Sequence, residues 1–173
     1  MSEVLEILKY TIPAIIVLIA TVIIVKQTVK NDQSRRNYEI ISKNQQMVTP
    51  VRLQAYERLT LLLERVSPES LIMRVSKPNM TAKQLQSEVL SSIRSEFDHN
   101  ISQQIYVTPQ VWEIIKNSRA KIIQLVNSAA SRVKPNEPAI NLSKIILEDL
   151  MVQEKSPTSL ALDALKKEVK HLY

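Results

Sequence analysis

Glu96 and His99, and again Glu168 and His171, form Glu-x-x-His pairs, half of the ligand set that a di-metal carboxylate bundle carries on its helices. In such a site the ligands project inward. At about 100° per residue of helix, His99 lies about 200° from Phe97 and His171 about 200° from Val169, and Phe97 and Val169 belong to apolar stripes. Both histidines are therefore expected on solvated faces. A complete site also needs two further inward glutamates, and nothing in the pattern brings Glu57, Glu64 or Glu148 to a common interior. Serine, histidine and aspartate are all present, without a spacing that brings a nucleophile to a base. The expectation is no enzyme: no catalytic residue, no metal, no cofactor and no small-molecule substrate.

The same region reads more simply as a surface. In "EFDHNISQQIYVTPQVW", Glu96 to Trp112, and just before it, Arg94, Asp98, His99, Gln103 and Gln104 make a polar row. Tyr106 and Trp112 flank that row at the Thr108-Pro109 corner. Aromatic side chains beside polar groups are favoured where proteins meet, so these seven residues form a candidate partner interface. The alternative for Tyr106 and Trp112 is that they cap a core. A second basic feature competes for function. Lys116, Arg119, Lys121, Arg132 and Lys134 occur with no acid between Glu113 and Glu137, in a chain of net charge +6. Such a face suits phosphates of nucleic acid or of anionic lipid. The aromatics that stack single-stranded bases are not interleaved there, and positive charge beside an acidic leaflet is useful in itself.

What positions these residues follows from composition. The 173 residues contain no glycine and no cysteine. A P-loop, a Rossmann phosphate turn and a G-x-S-x-G elbow all require glycine at fixed places. Without cysteine there is no disulfide framework, thiol nucleophile or iron–sulfur cluster. Structures that depend on a positive φ are not expected either.

Near the N-terminus, "YTIPAIIVLIATVIIV" from Tyr10 to Val25 carries no charge over sixteen residues. As helix it rises about 24 Å, against a hydrocarbon core of roughly 30 Å. Val4, Leu5, Ile7 and Leu8 extend the apolar surface, and Lys9 and Lys26 can snorkel toward headgroups. A cleaved signal peptide fits less well, because the segment starts with Glu3 and Glu6 and ends without a small-residue cleavage site. Lys26, Lys30, Arg35, Arg36 and Lys43 follow the stretch against Asp32 and Glu39. That bias predicts a span with its N-terminus outside and the remainder in the cytoplasm, and the same cations are candidate contacts to anionic lipid.

The rest is punctuated by proline. Thr49-Pro50, Ser67-Pro68, Thr108-Pro109 and Ser156-Pro157 each put a hydroxyl at a candidate N-cap and proline at the first helical position. Thr81 with Gln84 matches a capping box. The spacing predicts helices near 3–47, 50–66, 68–75, 82–106, 109–133, 140–154 and 157–172, with "VKPNEPAI" as a loop. Predicted stripes are Leu53, Tyr56, Leu59, Leu63 and Val66; Leu85, Val89, Ile93, Phe97 and Ile101; Ile115, Ile122, Val126, Ala129 and Val133; and Leu160, Leu165, Val169 and Leu172. Residues 27–48 carry only a thin stripe, Val29, Tyr38, Ile41 and Val48, which suits a stalk or a self-associating helix.

The segments "RLQAYERLTLLLERVSPESLIMR", Arg52 to Arg74, and "SEFDHNISQQIYVT", Ser95 to Thr108, resemble a family of small single-pass membrane proteins of unknown function found mainly in Bacteroidota. That resemblance implies a bacterial inner-membrane setting and assigns no catalytic residue. The layout of a span followed by charged helices is also similar, less closely, to the stator b subunit of rotary ATP synthases, whose long uninterrupted helix the prolines here oppose. The expected protein is all-α: a transmembrane anchor over 1–26, a juxtamembrane helical stalk over 27–48, and a cytoplasmic helical bundle over 49–173. Its expected work is that of a scaffold or accessory subunit of a membrane complex, with other subunits, a second copy or the bilayer as partners.

Overall fold

The computed structural model describes the backbone of residues 2–172 and the side chains of 15–33, 35–36 and 38–171. The side chains of Tyr10 to Ala14, Lys9 and Leu172, all named above, lie outside the described residues. Among the described residues the chain is all-helical: α1 (Ser2–Arg65), α2 (Pro68–Val75), α3 (Ala82–Asn100), a 3-10 helix (Ile101–Ile105), α4 (Pro109–Ala130), α5 (Ala139–Met151) and α6 (Pro157–Leu172). Contacts divide it into two units, Met1–Pro50 and Val51–Tyr173.

The expected helix start at Thr49-Pro50 does not occur, because α1 continues through it. Proline removes one i to i−4 hydrogen bond, and its fixed φ is itself helical. The residues on both sides carry helical patterns, so the proline weakens one turn instead of ending the helix. In the first unit every described side chain from Ile15 to Val48 is exposed. Among the described residues, no helix is long and apolar enough to cross a membrane; the described part of the uncharged stretch is Ile15–Val25.

The second unit has a core. Along α1, Ala55, Tyr56, Leu59, Leu62, Leu63 and the following Val66 are buried at steps of three and four, while Leu53 of the expected stripe is exposed. All of these but Ala55 join Leu71, Leu85, Ile93, Ile115, Ile122, Leu142, Ile146 and Leu165 in one cluster. Each such side chain contributes roughly 1.5–3 kcal/mol by leaving water. α4 lies chiefly against α6 and also touches α3 and α5. The inward face of α6 runs through Thr158, Ala161, Leu162, Leu165 and Glu168, so Leu160 of the expected stripe faces solvent.

Hydroxyl caps start most helices as the sequence predicts. Ser67 Oγ accepts from Ser70 N–H, Thr108 Oγ1 from Val111 N–H and Ser156 Oγ from Ser159 N–H. Thr81 and Gln84 complete the capping box at α3. The loop before α5 adds a second layer. Ala82 and Lys83 donate their backbone N–H groups to the carbonyls of Glu137 and Pro135, while Ala139 N–H returns a bond to Met80 C=O. The starts of α3 and α5 thus cap each other across the Thr81–Pro138 bridge. In this glycine-free chain the left-handed turn beside them falls to Asn79, φ 61°, asparagine being among the residues that tolerate that region.

Candidate functional site

α3 ends at Asn100, short of the expected 106, and the reason lies in its last side chain. Asn100 Nδ2 donates to Glu96 C=O at 2.9 Å, competing with the backbone for that acceptor. The chain then tightens to a 3-10 helix, in which side chains at i and i+3 eclipse. Gln103 therefore follows Asn100 inward, and both are buried. Ile101 and Gln104 turn outward together, and Ile105 follows on the open side, leaving Ile101 54% and Ile105 73% exposed. Ile101 thus leaves the expected α3 stripe, and Gln103 leaves the expected polar surface.

Of the seven candidate interface residues, Arg94, Asp98, His99 and Gln104 are exposed. Tyr106 and Trp112 are half-buried, and Trp112 packs against the core. The surface that remains is an acid, a base, an imidazole and an amide beside two outward isoleucines.

Behind this surface the Thr108-Pro109 corner is fastened by a polar cluster centred on the buried Glu168 and Tyr56. Glu168 on α6 accepts the Tyr56 hydroxyl at 2.5 Å and Thr108 N–H at 3.0 Å on Oε1, and the Thr108 hydroxyl at 2.5 Å on Oε2. Arg52 extends the network, donating Nη2 to the Tyr56 hydroxyl at 3.4 Å and Nε to Tyr106 C=O at 3.3 Å. The Glu168 carboxylate lies at the start of α4, where the helix dipole and an orphan N–H favour negative charge. Burial, reinforced by the carboxylate it donates to, pushes the Tyr56 phenol up to about 12, with Arg52 acting the other way. With its donors and acceptors matched, the cluster holds α1, α6 and the start of α4 in one arrangement. In the sequence Glu168 stands out only as the partner of His171 in a Glu-x-x-His pair. The available signal was its register: Glu168 lies three residues after Leu165 and seven after Ala161, on the apolar stripe.

The other Glu-x-x-His pair diverges too. His99 is exposed, while Glu96 Oε1 accepts from Arg65 Nε at 2.8 Å and Nη2 at 2.7 Å and lies 3.5 Å from Arg74 Nη2. Among the described residues no three of histidine, cysteine, aspartate and glutamate group to hold a metal ion.

The basic run from Lys116 to Lys134 is largely engaged within the fold. Lys116 pairs with Glu113, the Arg119 guanidinium stands 5.0 Å over the Phe97 ring, and Arg132 pairs with Asp149. After the expected span, Arg35 pairs with Glu39 at 3.2 Å on the exposed face of α1. Lys26, Lys30 and Arg36 are exposed on the same helix.

No curated protein and no solved structure matches the chain. The sequence profile of a family of unknown function, DUF7935, matches residues 2–172, and on that near-complete coverage the chain belongs to this family.

Proposed function

We propose that this is a single-pass protein of a bacterial inner membrane whose C-terminal helical unit works by protein association, as a scaffold or accessory subunit, and not as an enzyme. The observation that carries the reading is Ile15–Val25, eleven consecutive uncharged residues on α1 whose side chains are all exposed. In water, a cylinder of isoleucine, valine and leucine would forfeit most of the stabilisation its burial offers. In hydrocarbon it has its solvent. Its one polar side chain is also suited to that medium, because the Thr21 hydroxyl donates to Val17 C=O at 2.7 Å and leaves no unmet donor. Together with Tyr10–Ala14 the uncharged stretch reaches sixteen residues. The cations that follow it support a cytoplasmic C-terminal unit by the positive-inside tendency. The bacterial setting rests on the wording of residues 52–74 and 95–108.

The partner surface of this proposal is Arg94, Asp98, His99 and Gln104 with Ile101 and Ile105, and the partner is another membrane-complex subunit or a second copy. Outward isoleucines ringed by polar groups match the apolar centre and polar rim of a protein interface. Membrane confinement raises the effective concentration of such a partner, so a small contact area suffices. The test is purification of the tagged chain from native membranes in gentle detergent, with particle mass and companions identified. A stoichiometric companion that is lost when Asp98, His99 and Gln104 become alanine, with helicity unchanged, is the expected result. Recovery in the aqueous fraction defeats the anchor, and a lone monomer defeats the association.

A further inference from the structure

We propose that the cleft where the end of α1 meets α2 and α3 binds a phosphate monoester through Arg65 and Arg74. The cleft measures about 350 Å³ and is lined by Arg65, Arg74, Ser91, Ser92, Ser95 and Glu96. Two guanidinium groups from different helices converge on one carboxylate oxygen, Arg65 through Nε and Nη2 and Arg74 through Nη2. One negative charge offsets one of the two positive charges, so the trio keeps a net charge of +1. A guanidinium carries five N–H donors in a fixed fork. Glu96 takes two from Arg65 and faces one from Arg74, so most donors remain, already oriented by the carboxylate they flank.

Access and lining favour the same ligand. The Arg65 and Arg74 side chains are 56% and 37% exposed, while Glu96 is only 16% exposed, so an incoming anion meets the cations and not the acid. Three serines of α3 line the same cleft and add hydroxyl donors. A phosphate monoester brings three acceptor oxygens and a charge of roughly −1.5 to −2, which uses both arginines and the hydroxyls together. A carboxylate, with two oxygens and one charge, leaves part of that donor set unused. The polar walls offer an apolar ligand little. Arginine supplies planar, bidentate recognition of phosphate that lysine does not.

The monoester comes either from a soluble phosphate or from the headgroup of a phosphatidic acid, and the assay separates the two. The full chain in maltoside micelles is titrated calorimetrically with inorganic phosphate, and separately with the same micelles doped with phosphatidic acid. Saturable binding of the first identifies a soluble ligand; binding of the second alone identifies a headgroup. In either case Arg74→Gln should weaken binding about tenfold or more, the scale of one lost charge-assisted bond. Glu96→Gln should tighten it severalfold by removing the competing charge. A trio that serves only to fasten three helices predicts no such opposition. The proposal is overturned if neither probe binds the parent chain or Glu96→Gln at millimolar concentration. It is equally overturned if the two substitutions shift binding in the same direction while far-ultraviolet circular dichroism stays constant.

Discussion

The two units of the chain use the same apolar residue types to opposite ends. From Ile15 to Val48 isoleucine, valine and leucine are all exposed, with Val17 at 64% and Ile24 at 63%. From Leu59 onward the same types reach zero exposure at Leu59, Leu63, Ile93, Ile115 and Ile146. Both sets are helical, so backbone propensity does not separate them. Periodicity does. In the second unit apolar residues recur at three and four, which concentrates them on one face that another helix can cover. Over Ile15–Val25 they surround the axis, and no single protein neighbour covers a full circumference. On the proposed anchoring, the encircling pattern takes hydrocarbon as its solvent, whereas the one-sided pattern builds its own.

If that contrast is right, substitutions in the second unit should register in unfolding and those in the first should not. The largest effect is expected at Phe97→Ala, which removes a ring buried in the core and the seat of Arg119, costing roughly 3–5 kcal/mol in urea unfolding. Next comes Glu168→Ala, roughly 2–4 kcal/mol, because the Tyr56 hydroxyl and both Thr108 donors lose their acceptor. Alkaline pH attacks the same junction. The Tyr56 phenol is raised from 10.0 to about 12 in the fold, so its contribution is complete below pH 10 and disappears as pH rises through about 12. The loss amounts to about 3 kcal/mol, and unfolding midpoints measured against pH in parent and Tyr56→Phe chains isolate it. The smallest effect belongs to Ile19→Asn in the first unit. It should leave unfolding of the second unit within about 0.5 kcal/mol of the parent while lowering the membrane-bound fraction after flotation.

Much of this architecture was readable from residue order. Ser67, Thr81, Thr108 and Ser156 announce their helices because capping is local chemistry, decided within four residues. The stripes through Leu59, Ile93 and Ile122 follow from a 3.6-residue period. Three features were not legible, each for a different reason. Pro50 looks like a start, but whether a helix ends before a proline depends on the strength of the pattern on both sides. The switch to a 3-10 helix at Ile101 hangs on the Asn100 amide finding Glu96 C=O, a choice of rotamer. The Glu168 junction joins residues 112 and 60 positions apart, and no local pattern encodes such a meeting.

The crossed caps between α3 and α5 couple two segments more than fifty residues apart. Ala82, Lys83 and Ala139 carry N–H groups whose acceptors belong to the other segment, so none can expose its amide proton to solvent while the other side stays closed. Hydrogen–deuterium exchange at these three amides should therefore share one opening free energy. The loop from Lys134 to Pro138, which carries no regular structure before its bridge, then behaves as part of the same cooperative opening unit as the two helix starts it serves.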